Sequence, residues 1–154
     1  TTYDIWESIT SVVFGAEQRL EANNIQISGF APTKTLVLAD QDLVYQVIYN
    51  LVNNAINYTG DDKQIWVRQI VREDGYVRIE VTDSGEGIAP EALPYVWDRY
   101  YKVDKTHKRA VMGNGLGLSI VKNILELHDA RYGVESEVGK GSTFWFELKV
   151  YQIV

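Results

Sequence analysis

The 154-residue sequence contains no cysteine and only two histidines. Without cysteine the chain can form neither a disulfide nor a thiolate zinc site, and two histidines far apart in sequence do not suggest another metal cage. We therefore expect any metal ion to arrive together with a ligand. The sequence also lacks an apolar run near the roughly 20 residues of a membrane helix, and its amino end lacks a secretory signal pattern, so it predicts a soluble protein.

Basic residues are in the minority, since 15 lysines and arginines face 21 aspartates and glutamates, giving a formal net charge of −6. A nucleic-acid-binding protein needs a basic face that replaces phosphate counterions, so we expect no nucleic-acid partner. An anionic ligand would instead need a local group of basic residues. The length and the 45% hydrophobic content fit one globular domain over residues 1–154, with a core of its own.

Periodicity predicts helices packed on a sheet. Apolar residues at helical spacing predict helices over residues 5–20, 41–58 and 116–128, the first two capped by Asp4 and Asp40. Alternating or short apolar runs predict strands over residues 25–29, 35–38, 63–72, 76–81, 132–137 and 143–150. The turn Asp74-Gly75 predicts a hairpin between two of these strands.

Three asparagines share one face of the second predicted helix. Asn50, Asn54 and Asn57 stand at positions i, i+4 and i+7, beside an apolar stripe. Asparagine is a poor helix former, and a carboxamide oxygen suits a Mg²⁺ ion that keeps several of its waters. A solvated polar face with incidental asparagines explains the same pattern about equally well.

Asp83 continues the apolar parity of the strand that contains Val77, Ile79 and Val81, so we expect its carboxylate to point inward. A buried carboxylate needs donors, which the turn over residues 84–87 or a ligand amine could supply. The exocyclic amine of adenine is one such donor. The alternative is an aspartate that ends a strand in a tight turn, which is a common event.

Residues 83–115 form a long segment with one predicted short helix at 91–96, and a loop of this length is usually functional or mobile. It ends in glycines that precede a helix, where free backbone N–H groups can bind phosphate. A local group of basic residues comes just before them: Lys102, Lys105, His107, Lys108 and Arg109. A solvated loop with a flexible hinge would show the same composition. A dinucleotide fingerprint is excluded because no strand directly precedes the glycines.

Four motifs in this order resemble the N, G1, F and G2 boxes of sensor histidine kinases: NLVNNA at 50–55, DSGEGI at 83–88, WDRYYK at 97–102 and GNGLGL at 113–118. The resemblance continues through GKGSTF at 139–144, so it covers essentially the whole chain. It implies the Bergerat fold, an α/β fold of the α+β two-layer sandwich type. In that fold a mixed five-stranded sheet carries helices on one face, and a mobile ATP lid would lie at about 102–114.

The activity implied by the resemblance is transfer of the γ-phosphoryl group of Mg-ATP to a histidine on a separate helical dimerisation domain. That phosphoacceptor domain is absent from residues 1–154, so we do not expect the isolated domain to phosphorylate itself. The resemblance further implies a response regulator downstream, a cytoplasmic location at the inner end of a membrane-bound sensor, and a monomeric isolated domain.

The resemblance also implies site residues. Asn50 and Asn54 would bind Mg²⁺ and phosphates, Asp83 the adenine amine, and Lys102 the region of the γ-phosphate, with Asn50 and Lys102 as the catalytic residues. Other residues expected to bind or shape the nucleotide site are Asn57, Tyr58, Gly85, Gly87, Ile88, Gly113, Gly115, Leu116, Gly117, Leu118 and Thr143.

Two positions separate the activities open to this family. Hydrolytic members carry a glutamate at the position of Asn50 to activate water, so its absence favours transfer to histidine over hydrolysis. Many kinases carry a lysine at the position of Asn57, so a regulatory module that binds nucleotide without phosphotransfer is an alternative. We interpret His128 as a packed helix-end residue and not as a phosphoacceptor. Trp97 and Tyr100 occupy positions where the family usually has phenylalanines; lid contact and core packing are equally open.

Overall fold

A mixed five-stranded sheet forms the centre of the chain, which a computed structural model describes over residues 2–22, 26–28, 35–58, 64–97 and 117–151. The strands lie in the order β2, β4, β5, β7, β6. β2 is parallel to β4 and the other neighbours are antiparallel, which confirms the predicted mixed sheet. Their bounds are Gln26–Ser28 (β2), Gln64–Val71 (β4), Tyr76–Asp83 (β5), Arg131–Glu137 (β6) and Gly141–Lys149 (β7).

A second, two-stranded sheet was not predicted. β1, Thr2–Asp4, pairs antiparallel with β3, Leu36–Leu38. β1 is only three residues long and runs straight into a helix, so it is too short to show an alternating pattern. The predicted strand at 35–38 is therefore confirmed as a strand, and its partner could not be read from local periodicity.

In the described ranges four α-helices accompany the sheets: α1, Ile5–Gly15; α2, Glu17–Ala22; α3, Gln41–Tyr58; and α4, Gly117–Leu127. A short 3₁₀ helix, Leu93–Tyr95, lies within the predicted helix at 91–96. The predicted single helix over residues 5–20 was wrong, because the chain turns at Ala16 and starts a new helix. Gly15, the residue before this break, has a low helix propensity.

Both predicted helix caps are present. Asp4 Oδ1 accepts hydrogen bonds from Trp6 N at 3.1 Å and from Thr35 N at 3.0 Å, so it caps α1 and also holds the chain entering β3. Asp40 Oδ1 accepts from Leu43 N at 3.1 Å at the start of α3. Side-chain acceptors at these positions satisfy backbone N–H groups that have no partner inside the helix.

The helices pack on one face of the sheet. Val77, Ile79 and Val81 on β5 are buried, as are Phe144 and Phe146 on β7. They join the buried side of α3 in a single hydrophobic core, whose α3 members are Val44, Val47, Ile48, Leu51, Val52, Ala55 and Ile56. This packing places the carboxyl end of β5 beneath the helical layer. No helix in the described ranges is long and apolar enough to span a membrane.

The other sheet face carries charged residues around Glu147, whose side chain is buried. Arg72 Nε, Arg78 Nε and Arg131 Nη1 lie 3.3, 3.7 and 3.4 Å from its carboxylate oxygens. The Arg78 guanidinium also stacks 3.9 Å above the centre of the Trp145 ring. Among the described residues, this face therefore carries an ion cluster where the opposite face carries the helices.

Candidate functional site

Asp83 ends β5 on the inner face of the sheet and is 2% exposed. This confirms the inward orientation that the strand parity predicted. Its Oδ1 accepts a hydrogen bond from Gly85 N at 2.9 Å, so the turn that follows holds one carboxylate oxygen in place. The result is a buried, oriented carboxylate at the carboxyl end of the central strand β5, on the face that carries the helices, which is suited to accept a hydrogen bond from a ligand amine.

The turn after Asp83 packs directly on the β6–β7 hairpin. Gly87 has φ +78, and a Cβ there would lie 2.3 Å from the Glu137 carbonyl oxygen, so only glycine fits. Gly139 N donates to Glu86 O at 2.8 Å, and Ile88 N donates to Ser136 Oγ at 2.7 Å. Hydrogen bonds to the β6–β7 hairpin thus fix the turn, in addition to the bond from Gly85 N to Asp83 within it.

The three asparagines lie beside the apolar stripe of α3. Asn50 and Asn54 are half-buried and Asn57 is exposed. The Nδ2 atom of Asn54 is buried, and no described residue provides it with a hydrogen-bond partner. Buried amide nitrogens are normally paired, so this atom indicates a missing partner such as a phosphate oxygen or a water held by a ligand. Its Oδ1 then remains suited to a metal ion.

Within the part of the chain that the structure describes, no group of three or more histidine, aspartate or glutamate side chains could hold a metal ion. A hard cation at the asparagine face would therefore take most of its oxygen ligands from water and from the phosphates of a bound nucleotide. The half-buried carboxamides of Asn50 and Asn54 fit that arrangement, because Mg²⁺ typically keeps several waters and uses few protein ligands.

Thr143 and Ser142 lie on opposite sides of the sheet. Thr143 Oγ1 is 2.8 Å from Thr82 Oγ1, on the face away from the helices. Ser142 is directly opposite Asp83 in the β5–β7 register and is 2% exposed. The structure therefore brings Ser142, which we did not predict, next to Asp83 and directs Thr143 away. The parity of Ser142 with Phe144 and Phe146 was the signal that could have identified it.

Several predicted site residues lie outside the described residues: Lys102, Gly113, Gly115 and Leu116, together with the predicted lid at 102–114 and Tyr100. Of Tyr58, only its place at the end of α3 is described. Gly117 begins α4, as predicted for the glycine-rich helix start. Leu118 packs against the core from the first turn of that helix, while Gly85 and Ile88 are buried in the turn after Asp83.

Trp97 packs against the domain. Its ring makes edge-to-face contacts with Tyr132 and Phe144, with centroid distances of 5.1 and 5.5 Å. His128 links the end of α4 to the start of α3, because its Nε2 accepts from Asp40 N at 3.1 Å and its Nδ1 lies 2.8 Å from Ile124 O. Both contacts are met by the neutral tautomer with hydrogen on Nδ1. This confirms the packed helix-end interpretation of His128.

Residues 39–152 match the family described as histidine kinase-, DNA gyrase B-, and HSP90-like ATPases. Among curated relatives, Drug sensory protein A of Synechocystis is 41% identical over 79% of this chain. The sensor-like histidine kinase SenX3 of Mycolicibacterium smegmatis is 39% identical over 93% of it. The chain spans 20% and 38% of the lengths of these two proteins, respectively.

A solved structure shows that the fold is also similar to that of a known protein domain. The structure of full-length ShkA, described as a complex with AMPPNP, is 26% identical and superposes with a TM-score of 0.82. The match covers 100% of this chain and 32% of that chain. The described strands and helices therefore have the arrangement of a known α+β domain.

Proposed function

Because the chain belongs to the histidine kinase-, DNA gyrase B-, and HSP90-like ATPase family, with sensor histidine kinases among its relatives, we propose that it binds Mg-ATP and transfers the γ-phosphoryl group to a histidine. The acceptor histidine would lie on a separate helical dimerisation domain of the same kinase. The observation that carries the proposal is the buried carboxylate of Asp83, which accepts from Gly85 N at 2.9 Å at the carboxyl end of β5.

Asp83 recognises the base in this proposal. An ionised carboxylate accepts hydrogen bonds only, and the exocyclic amine of adenine is a donor. Burial strengthens such a bond because water does not compete for the carboxylate. The AMPPNP in the ShkA complex is an ATP analogue, which supports a nucleotide of this class for the present chain. Gly85, Gly87 and Ile88 shape the wall beside the base.

Asn50 and Asn54 hold the metal and phosphate end. The buried Nδ2 of Asn54 supports this assignment. It has no hydrogen-bond partner among the described residues and can donate to a phosphate oxygen. Mg²⁺, when bound, would neutralise charge on the transferring phosphoryl group. Transfer to a histidine is favoured over hydrolysis because Asn50, as an amide, cannot act as a base toward water. Lys102 would act near the γ-phosphate.

The protein partners and the cellular location follow from the same proposal. The acceptor domain and a downstream response regulator are the expected protein partners, and the cytoplasm, where ATP is abundant, is the expected location. We propose that the isolated domain is a monomer that does not phosphorylate itself. Asn57 motivates one alternative, because many kinases of this kind carry a lysine at this position: a regulatory module that binds nucleotide but does not transfer its phosphate.

Replacing Asp83 by Asn tests the base assignment. We expect ATP affinity to fall by roughly 10- to 100-fold, because a hydrogen bond to a charged group contributes about 1.5–3 kcal/mol. Isothermal titration calorimetry with Mg-ATP measures the change. Asp74→Asn is the matched control, since Asp74 lies in the hairpin turn before the opposite end of β5 and should leave affinity unaltered. Equal affinity in Asp83→Asn and in the unaltered protein would refute the assignment.

Phosphotransfer is tested by mixing the domain with its cognate helical domain and γ-labelled ATP. Acid-labile label on the helical domain is the expected outcome. Nucleotide binding without labelling of the partner would favour the regulatory module, and sustained phosphate release by the domain alone would favour a hydrolase. Asp83→Asn serves as the control at an ATP concentration below its weakened dissociation constant, where the lower nucleotide occupancy should reduce the labelling.

A further inference from the structure

Two serines continue the row of inner-face residues that begins at Asp83. In the sheet register Asp83 is opposite Ser142 on β7, and Ser142 is opposite Ser136 on β6. Ser142 is 2% exposed and Ser136 is half-buried. Apolar residues occupy the rest of this face along β7, so the hydroxyls form a polar strip between the base-binding carboxylate and the sheet edge.

The Ser136 hydroxyl has three partners, which is its full hydrogen-bonding capacity. Ile88 N donates to Ser136 Oγ at 2.7 Å. Ser136 Oγ donates to the carbonyl oxygen of Gly141 at 3.0 Å, and the hydroxyl of Ser142, at 2.8 Å, can then donate to Ser136 Oγ. One donated and two accepted hydrogen bonds use the hydroxyl hydrogen and both lone pairs. Such a saturated buried network defines one geometry.

These bonds connect the two ends of the turn that surrounds the base site. Ile88 ends the turn that begins at Asp83, and its side chain is 1% exposed. Gly141 lies against the other end, since a Cβ on it would be 2.1 Å from the Asp83 carbonyl oxygen. Ser136 is therefore bonded on one side to the exit of the turn and on the other to the residue packed on its entrance.

We propose that Ser136 is a positioning residue that sets the selectivity of the site for adenine, an inference that rests on the proposed nucleotide-binding function. Ser136 acts through the backbone of the turn and not by contacting the base. Asp83 accepts from the amine of adenine but would face an oxo group at the same position of guanine. Discrimination between adenine and guanine requires the Asp83 carboxylate to stay in place. The discrimination weakens when the turn after Asp83 can shift and move the carboxylate.

Ser136→Ala tests the proposal against Ser8→Ala. Ser8 is also buried and its hydroxyl lies 3.0 Å from Tyr3 Oη, so the control removes a buried serine hydrogen bond elsewhere in the domain. We expect Ser136→Ala to weaken ATP binding by about 5- to 10-fold and to lower the ratio of ATP to GTP affinity. Ser8→Ala should keep both values. Ser136→Thr, which retains a hydroxyl, should restore the ratio.

Hydrogen exchange at the Ile88 amide gives a readout that does not depend on nucleotide. Exchange should be faster in Ser136→Ala and unaltered in Ser8→Ala. If Ser136→Ala does not fold, Ser136→Cys replaces it, because a thiol is similar in shape but a weak hydrogen-bonding group.

An unaltered ATP to GTP ratio in a folded Ser136→Ala or Ser136→Cys protein that still binds ATP would overturn this inference alone. Failure of the unaltered protein to bind ATP would overturn the proposed function, and this inference with it. The two failures are therefore distinguished by the binding measurement on the unaltered protein.

Discussion

At the residue scale, Tyr3 shows how burial decides the charge state of a single side chain. Its ring is 7% exposed and its hydroxyl lies 3.0 Å from Ser8 Oγ. Burial raises the pKa of Tyr3 to about 12, because the phenolate would lose its hydration, and the hydrogen bond to Ser8 offsets only part of this shift. The carboxylates of Glu7, Asp40 and Asp4 raise the pKa further by repelling the phenolate. The folded protein therefore favours a neutral Tyr3.

Ionisation of Tyr3 should lower the stability of the folded protein at alkaline pH. A pKa that is raised in the folded state contributes stability in full below the unfolded value, near 10, and that contribution is lost as pH rises toward 12. We expect the free energy of unfolding to fall by about 2 kcal/mol over this interval. Urea unfolding at several pH values measures it. Tyr3→Phe should reduce the slope, whereas Tyr49→Phe, which removes an exposed hydroxyl, should not. Equal slopes for all three proteins would contradict the prediction.

At the element scale, the β6–β7 hairpin both completes the sheet and supports the turn that follows Asp83. Its two turn glycines have different roles. Gly139 has φ +85, and a Cβ at this position would have no atom within 4 Å. Only the backbone conformation therefore favours glycine there. Gly141 has φ +111 and also lies against the Asp83 backbone, so both conformation and space exclude a side chain.

This difference gives a matched pair of substitutions within one turn. Gly139→Ala should cost about 1 kcal/mol of unfolding free energy, the strain of a positive φ. Gly141→Ala should cost more than about 3 kcal/mol, because the Asp83 backbone must also move. Chemical denaturation compares the two variants. Gly141→Ala should in addition lose ATP affinity that Gly139→Ala retains. Similar costs in the two variants would mean that the close contact at Gly141 relaxes easily.

At the scale of the whole molecule, the face of the sheet without helices is tied together by charge. Glu147 on β7 contacts Arg78 on β5, Arg131 on β6 and Arg72 just after β4. Arg131 Nη1 also bonds Asp74 Oδ2 at 2.8 Å in the β4–β5 turn. This contact lowers the pKa of Asp74 and raises that of Arg131. The cluster therefore joins four neighbouring strands at one end of the sheet.

Removing the charge of Glu147 should destabilise the whole domain. We expect Glu147→Gln to lower the free energy of unfolding by about 2 kcal/mol. This is less than the 3–5 kcal/mol typical of a fully buried pair, because two of the arginines are well exposed. Glu137→Gln is the control. Glu137 forms an exposed pair with Lys140 at 3.8 Å, and such pairs contribute under about 1 kcal/mol. Equal urea midpoints for the two variants would show that the cluster adds no stability.

Local patterns predicted most of the elements and part of the site. The caps at Asp4 and Asp40 were found because a helix start needs a side-chain acceptor within a few residues. Asp83 was found because alternation along one strand fixes the face of each side chain. The asparagine face followed from the helical repeat of α3. In each case the signal lies within one element, where covalent geometry determines which residues share a face.

Contacts between distant segments required the tertiary structure. The β1–β3 pair, the second hydrogen bond of Asp4 to Thr35 and the link from Asp40 to His128 join residues that sequence spacing does not relate. The Ser136 network and the arginines around Glu147 depend on strand order and register, as does the outward direction of Thr143. The sequence by itself thus determined most of the elements, the family motifs and the inward Asp83. Only the packed sheet decided what surrounds that carboxylate, because neighbours across strands are set by pairing and not by local periodicity.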